Sequence, residues 1–297
     1  MHHAAMFVLA HISDLHLAVR PGLEQLASKR GLGFINWHRG RKYIHRIEAL
    51  NAITRDLQAT AVDHIAVTGD LVNLSLPAEY AWARRWLESI GTPDNVTVIP
   101  GNHDLYVPEA QRGPAEYWGE YMHADDGAEN GTFPFVRRRG PVALIALSTA
   151  LATGPFLATG RLGDAQLARF AAALAQTSGS FRVVLIHHPP VSPPNRYLRR
   201  LTDAAEFRAV LAAHGADLVL HGHDHCRSLV WLDGPGKPIP AVGVPSASAQ
   251  APHGHEDASG YNLFHIDGAS NGWHCEMIAR QLKGDGSVGE VARQTLV

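Results

Sequence analysis

The sequence has little cysteine and almost no net charge. Only Cys226 and Cys275 occur among its 297 residues. Two cysteines cannot form a disulfide framework and are typical of free thiols in a reducing compartment. Its 26 lysines and arginines are balanced by 28 aspartates and glutamates. The net charge near −2 gives no reason to expect a nucleic-acid partner.

Long hydrophobic runs are also missing. The first residues lack the charged start, the apolar run and the cleavage site of a secretory signal. No apolar stretch is long enough to cross a bilayer, and we therefore expect a cytoplasmic protein without a transmembrane segment. A hydrophobic share of 45% is ordinary for a globular protein with a sizeable core. The sequence contains no signal for the oligomeric state.

Short apolar runs alternate with helical patterns along most of the chain. The apolar runs are rich in β-branched residues and predict buried strands at Phe7–Ser13, His64–Thr68, Val96–Ile99, Val142–Ser148, Arg182–Ile186 and Asp217–Leu220. Helices are predicted at Tyr43–Ala59, Ala78–Ile90, Pro108–Tyr121, Asp164–Gln176 and Asp203–His214. Antiparallel strands are predicted near the C-terminus at Arg227–Leu232, Ile239–Val244, Tyr261–Ile266 and Gly272–Leu282. The pattern predicts an α/β sandwich in which this tail forms a second sheet.

Histidine is abundant, with 19 residues, and it is the most frequent metal ligand in proteins. Five clusters of potential ligands each follow a predicted strand: Asp14-Leu15-His16, Gly69-Asp70, Gly101-Asn102-His103-Asp104, His187-His188-Pro189-Pro190 and Gly222-His223-Asp224-His225. In open α/β sheets, ligands bind beyond the carboxyl ends of the strands. The five clusters are therefore expected to meet at one place.

The spacing and the residue types fit a metal site. Side chains two residues apart in an extended chain point the same way. The side chains of Asp14 and His16 are therefore expected to point to the same centre, and so are those of His223 and His225. The glycines that open three of the clusters allow tight turns and close backbone approach. Carboxylates, imidazoles and one amide suit manganese, iron or zinc rather than a thiolate site. Seven candidate ligands are too many for one tetrahedral ion, and they fit two ions that lie about 3.5–4 Å apart.

The motif order DxH, GD, GNHD, H and GHxH resembles the calcineurin-like metallophosphoesterase superfamily, over Asp14 to His225. The resemblance implies one domain spanning 1–297, a four-layer α/β/β/α sandwich of two mixed sheets flanked by helices. It implies that one metal ion is bound by Asp14, His16, Asp70 and His225, and a second by Asp70, Asn102, His187 and His223. His187 is preferred over His188 because the family's ligand directly follows its strand.

The same resemblance implies that His103 is a catalytic residue and not a ligand. It would stabilise a phosphate oxygen or protonate the leaving alcohol, while Asp104 would orient it or a neighbouring loop. Two divalent ions would bring four positive charges to the site, and Asp14, Asp70 and a bridging hydroxide would bring three negative ones. The net charge of about +1 would attract a phosphate ester anion. Metal ions also lower the pKa of bound water from 15.7 to roughly 7.

A basic segment between the first two clusters is the most individual feature of the chain. From Lys29 to Arg46 it has six lysines and arginines, includes Trp37 and Phe34, and has no acidic residue. One hypothesis is a cap insertion at about 20–46, with Arg39 and Arg41 contacting a second phosphate or an anionic head group; the alternative is a solvated helix start. His188 is a further candidate substrate contact, or a turn residue.

The leading functional hypothesis is a phosphodiesterase that acts on a small phosphate ester, similar to the bacterial cyclic-nucleotide and glycerophosphodiester branch of the superfamily. The enzymatic alternatives are a nucleotide-sugar lipid pyrophosphate hydrolase and a phosphomonoesterase. The non-enzymatic alternative is a metal-binding scaffold, which would not need a full ligand set.

Overall fold

We describe a computed structural model of the chain, which covers residues 6–26, 29–127, 131–270 and 272–297. Two six-stranded sheets lie face to face, and helices cover the outer face of each sheet. The four-layer α/β/β/α sandwich of two mixed sheets is therefore confirmed.

The first sheet joins the beginning of the chain to its end. Its strands are β1 (Phe7–Ile12), β2 (His64–Val67), β3 (Val96–Val98), β10 (Gly260–Ala269), β11 (Gly272–Leu282) and β12 (Val288–Thr295). They lie in the order β12-β11-β10-β1-β2-β3. The strands β1, β2 and β3 are parallel, whereas β10 runs antiparallel to β1 with Ala10 opposite Leu263.

The second sheet is built from the middle of the chain. Its strands are β4 (Phe135–Arg139), β5 (Val142–Ala146), β6 (Phe181–Leu185), β7 (Leu218–His221), β8 (Ser228–Leu232) and β9 (Ile239–Gly243). They lie in the order β4-β5-β6-β7-β9-β8, with β5, β6, β7 and β9 parallel and the two edge strands antiparallel.

Two pairs of helices cover the sheets. The α-helices are α1 (Lys29–Asn36), α2 (Lys42–Ile44), α3 (Ile47–Ala59), α4 (Pro77–Ile90), α5 (Gly113–Trp118), α6 (Asp164–Gln176) and α7 (Ala204–His214). Helix α3 packs on the first sheet and against α4, while α6 and α7 pack on the second sheet.

Strands β5 and β6 of the second sheet are largely apolar on both faces, because each face is covered. Leu144 of β5 and Leu185 of β6 belong to the core between the sheets. Their neighbours Ile145 and Val184 point the other way, into the core beneath α6 and α7. This alternation is the period of two expected for strands, and near-continuous apolar runs are typical of parallel strands buried on both faces.

The prediction that the C-terminal strands form a sheet of their own was wrong. Strands β8 and β9 join the second sheet, and β10 and β11 join the first. The sequence pattern also did not identify β4 or β12 as strands. Pairing between strands more than 200 residues apart, such as β1 with β10, leaves no local signal in the sequence.

Two predicted helices are shorter than expected. The first begins at Ile47 rather than Tyr43, because the amide of Arg46 donates instead to the carbonyl of Ser248, at 2.8 Å. The predicted helix Pro108–Tyr121 contains only one α-helical stretch, which begins at Gly113. Pro114 lies in the first turn of this helix, where its missing amide hydrogen is tolerated, but it cannot lie in the interior of a helix that begins at Pro108.

Arg137 links the two sheets from within the β4–β5 hairpin. Its side chain is fully buried although it lies in a run of three arginines. The guanidinium donates to the carbonyl of Val96 at 2.7 Å and to the hydroxyl of Thr97 at 3.1 Å. The Thr97 hydroxyl lies 2.7 Å from Nε2 of His64 on β2. Because Oγ1 accepts from Arg137, its own hydrogen is available to His64.

Acid should destabilise the fold partly through His64. Burial, and then the charge of Arg137, lower the pKa of His64 from 6.5 to about 3. Between these values the unfolded chain binds a proton that the folded protein does not. The free energy of unfolding should therefore fall as the pH drops from 6.5 towards 3, by up to about 1.4 kcal/mol per pH unit.

The measurement is urea denaturation between pH 7 and pH 4. We expect a shallower pH dependence for His64→Gln than for the wild type. The control is His274→Gln, because His274 is exposed on β11 and should leave the slope unchanged. Equal slopes for His64→Gln and the wild type would contradict the role given to His64.

Candidate metal centre

The five ligand-bearing loops follow the carboxyl ends of five parallel strands. The clusters that begin at Asp14, at Asp70 and at Asn102 follow β1, β2 and β3 of the first sheet, and those with His187 and His223 follow β6 and β7 of the second. The two sheets thus contribute to one end of the sandwich. All seven predicted metal ligands are buried there: Asp14, His16, Asp70, Asn102, His187, His223 and His225.

The first group of ligand atoms surrounds the Asp14 carboxylate. Oδ1 of Asp14 lies 3.7 Å from Nε2 of His16 and 3.3 Å from Nε2 of His225. The two imidazole nitrogens lie 2.9 Å apart. The backbone amide of His223 donates to Oδ2 of the same carboxylate, at 2.9 Å.

The second group surrounds His187. Its Nε2 lies 3.5 Å from Oδ1 of Asp70 and 3.3 Å from Oδ1 of Asn102. Ligand atoms of Asp70, His187 and His223 all lie within 4.8 Å of one another. Asp70 also forms such a cluster with His16 and His103. The Asp70 carboxylate therefore lies between the first group and the second.

Hydrogen bonds fix the orientation of the imidazole rings. Nδ1 of His187 lies 2.7 Å from the carbonyl oxygen of Thr68, and Nε2 of His223 lies 2.9 Å from that of Arg199. A carbonyl oxygen only accepts, so each of these nitrogens carries the hydrogen. The other nitrogen of each ring then presents its lone pair to the site. This arrangement is typical of metal-binding histidines.

The predicted ligands lie on strained backbone. Five of the seven have positive φ: Asp14 (57°), His16 (49°), Asp70 (54°), His223 (71°) and His225 (55°). The left-handed region is uncommon for residues other than glycine and is concentrated at functional sites. The expected extended geometry at Asp14 and His16 is therefore absent. Left-handed turns bring these side chains together instead.

Two glycines allow the loops to approach the carboxylates. A methyl group at Gly101 would overlap the Asp70 side chain, and one at Gly222 would overlap those of Asp14 and Ser13. The close backbone approach predicted for these glycines is present. Any larger residue at either position would displace a proposed metal ligand.

The residues present fit a pair of metal ions. Oδ1 of Asp14 is buried and has no hydrogen-bond partner among the described residues, which is costly for a carboxylate. Burial is the largest single influence and lowers the pKa values of His187 and His225, but the neighbouring carboxylates together outweigh it. Asp70 and Asp14 raise the pKa of His187, and Asp14 and Glu256 raise that of His225, to about 9 each. The site therefore attracts protons to these nitrogens, and cations compete for the same lone pairs.

His103 lies beside the ligands. Nδ1 donates to the carbonyl of Asn73 at 2.7 Å, so Nε2 presents its lone pair. The ring packs edge-on to His16, with centroids 4.9 Å apart, and stacks on Tyr106 at 5.4 Å. Asp104 instead accepts from the amides of Gly101 and Val72, at 2.8 and 3.1 Å. Asp104 therefore holds the loops that position Asn102 and Asp70.

His188 has different surroundings from His187. Its ring is fully buried, Nδ1 lies 2.7 Å from the Thr149 hydroxyl and Nε2 lies 3.1 Å from the Ala158 carbonyl. The ring centroid is 4.4 Å from that of His223. Both nitrogens are engaged by protein groups, which favours a positioning role for His188 over direct substrate contact.

The basic segment lies on the loops of the metal centre. Nζ of Lys29 donates to the Thr153 hydroxyl at 3.0 Å and lies 4.4 Å from the centre of the Tyr106 ring. Arg30 donates to the carbonyls of Leu74 and Ser75, at 3.0 and 2.8 Å. These two basic side chains attach the segment to the protein. The side chains of Arg39 and Arg41 lie outside the described part of the structure.

The segment also brings His45 to the centre, which sequence reasoning missed. The His45 ring lies 4.6 Å from that of His16 and 5.4 Å from that of His225, measured between centroids. Ligand atoms of the three residues lie within 4.8 Å of one another. Nδ1 of His45 is 2.9 Å from the hydroxyl of Ser248. His45 belongs to no motif, so no sequence signal identified it.

Comparisons with known proteins agree with this geometry. Residues 7–227 match the calcineurin-like phosphoesterase family. The chain is 30% identical over 223 residues to a probable cyclic nucleotide phosphodiesterase of Synechococcus, covering 73% of this chain and 72% of that protein. It is 24% identical over 260 residues to the glycerophosphodiester phosphodiesterase GpdQ of Enterobacter lignolyticus, covering 86% of this chain and 82% of GpdQ.

Solved structures share the fold at low sequence identity. Purple acid phosphatase PPD1 from yellow lupin superposes on 98% of this chain with a TM-score of 0.66 and 12% identity, and the chain spans 54% of that protein. GAP50, the anchor in the inner membrane complex of Plasmodium, superposes with a TM-score of 0.58 and 12% identity. The superposition covers 98% of this chain and 88% of GAP50.

No helix in the described ranges combines the length and the apolar composition that a bilayer span needs. The family match covers about three-quarters of the chain, and it coincides with the candidate metal-ligand clusters. The chain belongs to the calcineurin-like phosphoesterase family and is a metal-dependent phosphoesterase.

Proposed function

We propose that the protein hydrolyses a phosphodiester with two metal ions, each manganese, iron or zinc. The observation that supports this most directly is the position of Asp70. Its carboxylate forms one cluster with His16 and His103 and another with His187 and His223. A carboxylate shared by two ligand groups is the arrangement that a dinuclear centre needs.

The two ions would divide the ligands by proximity. The first would be bound by Asp14, His16, Asp70 and His225, and the second by Asp70, Asn102, His187 and His223. When bound, two divalent ions would lower the pKa of water and supply positive charge at the reacting phosphate. Asp14 and Asp70 offset only part of that charge. The neutral Asn102 offsets none, which leaves the site attractive to a phosphate ester anion.

His103 is the proposed catalytic residue. Its Nδ1 hydrogen is held by the Asn73 carbonyl, so Nε2 is the nitrogen that would hold and deliver a proton. Nε2 would stabilise a phosphate oxygen or protonate the leaving alcohol. The stacked ring of Tyr106 limits rotation of the imidazole.

The diester preference is supported by the two curated relatives, which are named for phosphodiester hydrolysis. We further propose a single domain over 1–297 with a cap insertion at about 20–46. Within it, Arg39 and Arg41 would contact an anionic group of the substrate. His188 would support the substrate site from beneath His223. The two free cysteines support a cytoplasmic location.

A substrate panel tests the proposed function. The metal-free chain is reconstituted with manganese, iron or zinc. It is then assayed on a cyclic nucleotide, a glycerophosphodiester, bis(p-nitrophenyl) phosphate, a nucleotide-sugar lipid pyrophosphate and p-nitrophenyl phosphate. We expect kcat/KM for the best diester to exceed that for the monoester by at least about tenfold, or ~1.4 kcal/mol.

Other outcomes of the panel have defined meanings. A preference for the monoester would contradict the diester assignment and leave the metal centre intact. Bound metal without hydrolysis of any ester would favour the scaffold alternative. Fastest turnover of the lipid pyrophosphate would favour the pyrophosphate hydrolase alternative.

A further inference from the structure

A cavity opens beside the metal centre, between the basic segment and the core. It has a volume of about 260 Å³, comparable to eight or nine water molecules at ~30 Å³ each. His16, a proposed metal ligand, and His45 both line it. The cavity is therefore continuous with the metal centre.

The walls of this cavity are largely apolar. Trp37 comes from the basic segment and Trp82 from α4, and Leu17 and Ile47 also line the cavity. Ile47 is 39% exposed although it opens a helix that packs on the first sheet. The Trp37 ring stacks on Phe34, with centroids 5.8 Å apart. Apolar surface of this kind beside a polar catalytic centre is typical of a ligand site.

The polar groups of the cavity are few and lie at defined places. His45 stands next to His16, with its Nδ1 held by Ser248. Arg46 and Glu48 pair with each other, 3.3 Å apart, and this pair leaves no net charge at the cavity. A neutral group fits such surroundings better than a second anion.

We propose that this cavity binds an uncharged, ring-bearing arm of the phosphate ester. The inference rests on the proposed function, because it assumes that the phosphate binds at the metal centre. The ring would lie between Trp37 and Trp82, where offset or edge-on aromatic contacts are favourable. His45 would stand between the arm and the metal centre and would contact the ester at one of its oxygens.

Binding of two phosphonates tests the cavity directly. Phenylphosphonate and methylphosphonate have the same anionic head group and differ only in the arm. Calorimetric titration of the zinc-loaded protein should give tighter binding of phenylphosphonate by about 10- to 100-fold, the range expected for burying one aromatic ring. Equal affinities would overturn the proposed cavity. Failure to bind either compound would instead contradict the proposed function.

Two variants localise the effect. Trp82→Ala and Trp37→Ala should each reduce the phenyl-to-methyl affinity ratio by about tenfold, with methylphosphonate affinity unchanged. Trp37 belongs to the insertion and not to the core clusters, so its variant is the safer one for folding. The control is Trp231→Ala, because Trp231 is exposed on β8 of the other sheet. An unchanged ratio in both cavity variants would overturn the assignment.

His45→Ala separates the roles at the cavity's inner end. We expect weaker binding of both phosphonates by a similar factor, an unchanged phenyl-to-methyl ratio and unchanged zinc content. The control is His38→Ala, because His38 is an exposed histidine of the same segment. Loss of one zinc ion in His45→Ala would make His45 a metal ligand and would overturn its role as a substrate contact.

Discussion

Asp70→Ala should empty both metal positions and reduce diester hydrolysis by on the order of 10³-fold or more, since metal ions supply several kcal/mol of transition-state stabilisation. Asp70 lies within reach of both ligand groups, and its Oδ1 accepts from the His103 amide at 2.7 Å. Removing it should also release the loop that holds Asn102. The measurement is metal content by mass spectrometry after reconstitution, together with turnover of bis(p-nitrophenyl) phosphate.

Two matched variants make this result specific. Asn102→Ala should lose mainly the ion next to His187, because the Asn102 amide oxygen lies 3.3 Å from Nε2 of His187. Asp56→Ala removes a carboxylate of helix α3 that pairs with Arg280 of β11, and it should retain both ions. Two ions retained in Asp70→Ala would contradict the shared-carboxylate assignment.

The loops of the metal centre were predictable because each is local in sequence. A short apolar run followed by a ligand cluster indicates a strand and its carboxyl end at the same time. Asp14, Asp70 and His187 could therefore each be assigned to the carboxyl end of a strand from the amino-acid sequence alone. Within each sheet, the convergence of these strand ends follows from the parallel arrangement, whereas the meeting of the two sheets at one end of the sandwich does not.

The shape of the loops was not predictable in the same way. The left-handed backbone at Asp14 and His223 depends on contacts made after folding. An example is the hydrogen bond from the His223 amide to the Asp14 carboxylate, which joins residues 209 positions apart. Such strain is stable only where surrounding structure holds it in place.

The contacts of the basic segment were also hidden from the sequence. Its basic composition suggested contact with an anionic substrate. Lys29 and Arg30, however, bind protein carbonyl and hydroxyl groups. His45, which no motif includes, lies next to His16 and His225. A basic residue that binds protein groups cannot be distinguished in a sequence from one that binds substrate, because composition does not encode tertiary contacts.

His103→Ala should keep both metal ions and slow hydrolysis by about 10²–10⁴-fold, the usual range for a general acid. The reason is geometric. Nδ1 of His103 is occupied by the Asn73 carbonyl, and a ring nitrogen of His103 lies within 4.8 Å of ligand atoms of His16 and Asp70. The seven proposed ligands are all retained in this variant. The metal content should therefore stay the same while turnover falls.

The leaving group decides whether His103 delivers a proton. A p-nitrophenolate group leaves without protonation more readily than an alkoxide. The loss in His103→Ala should therefore be smaller for bis(p-nitrophenyl) phosphate than for a glycerophosphodiester. His274→Ala, on the exposed part of β11, should match the wild type on both substrates. Equal losses on the two would assign His103 to stabilising phosphate oxygens, and loss of metal would make it a ligand.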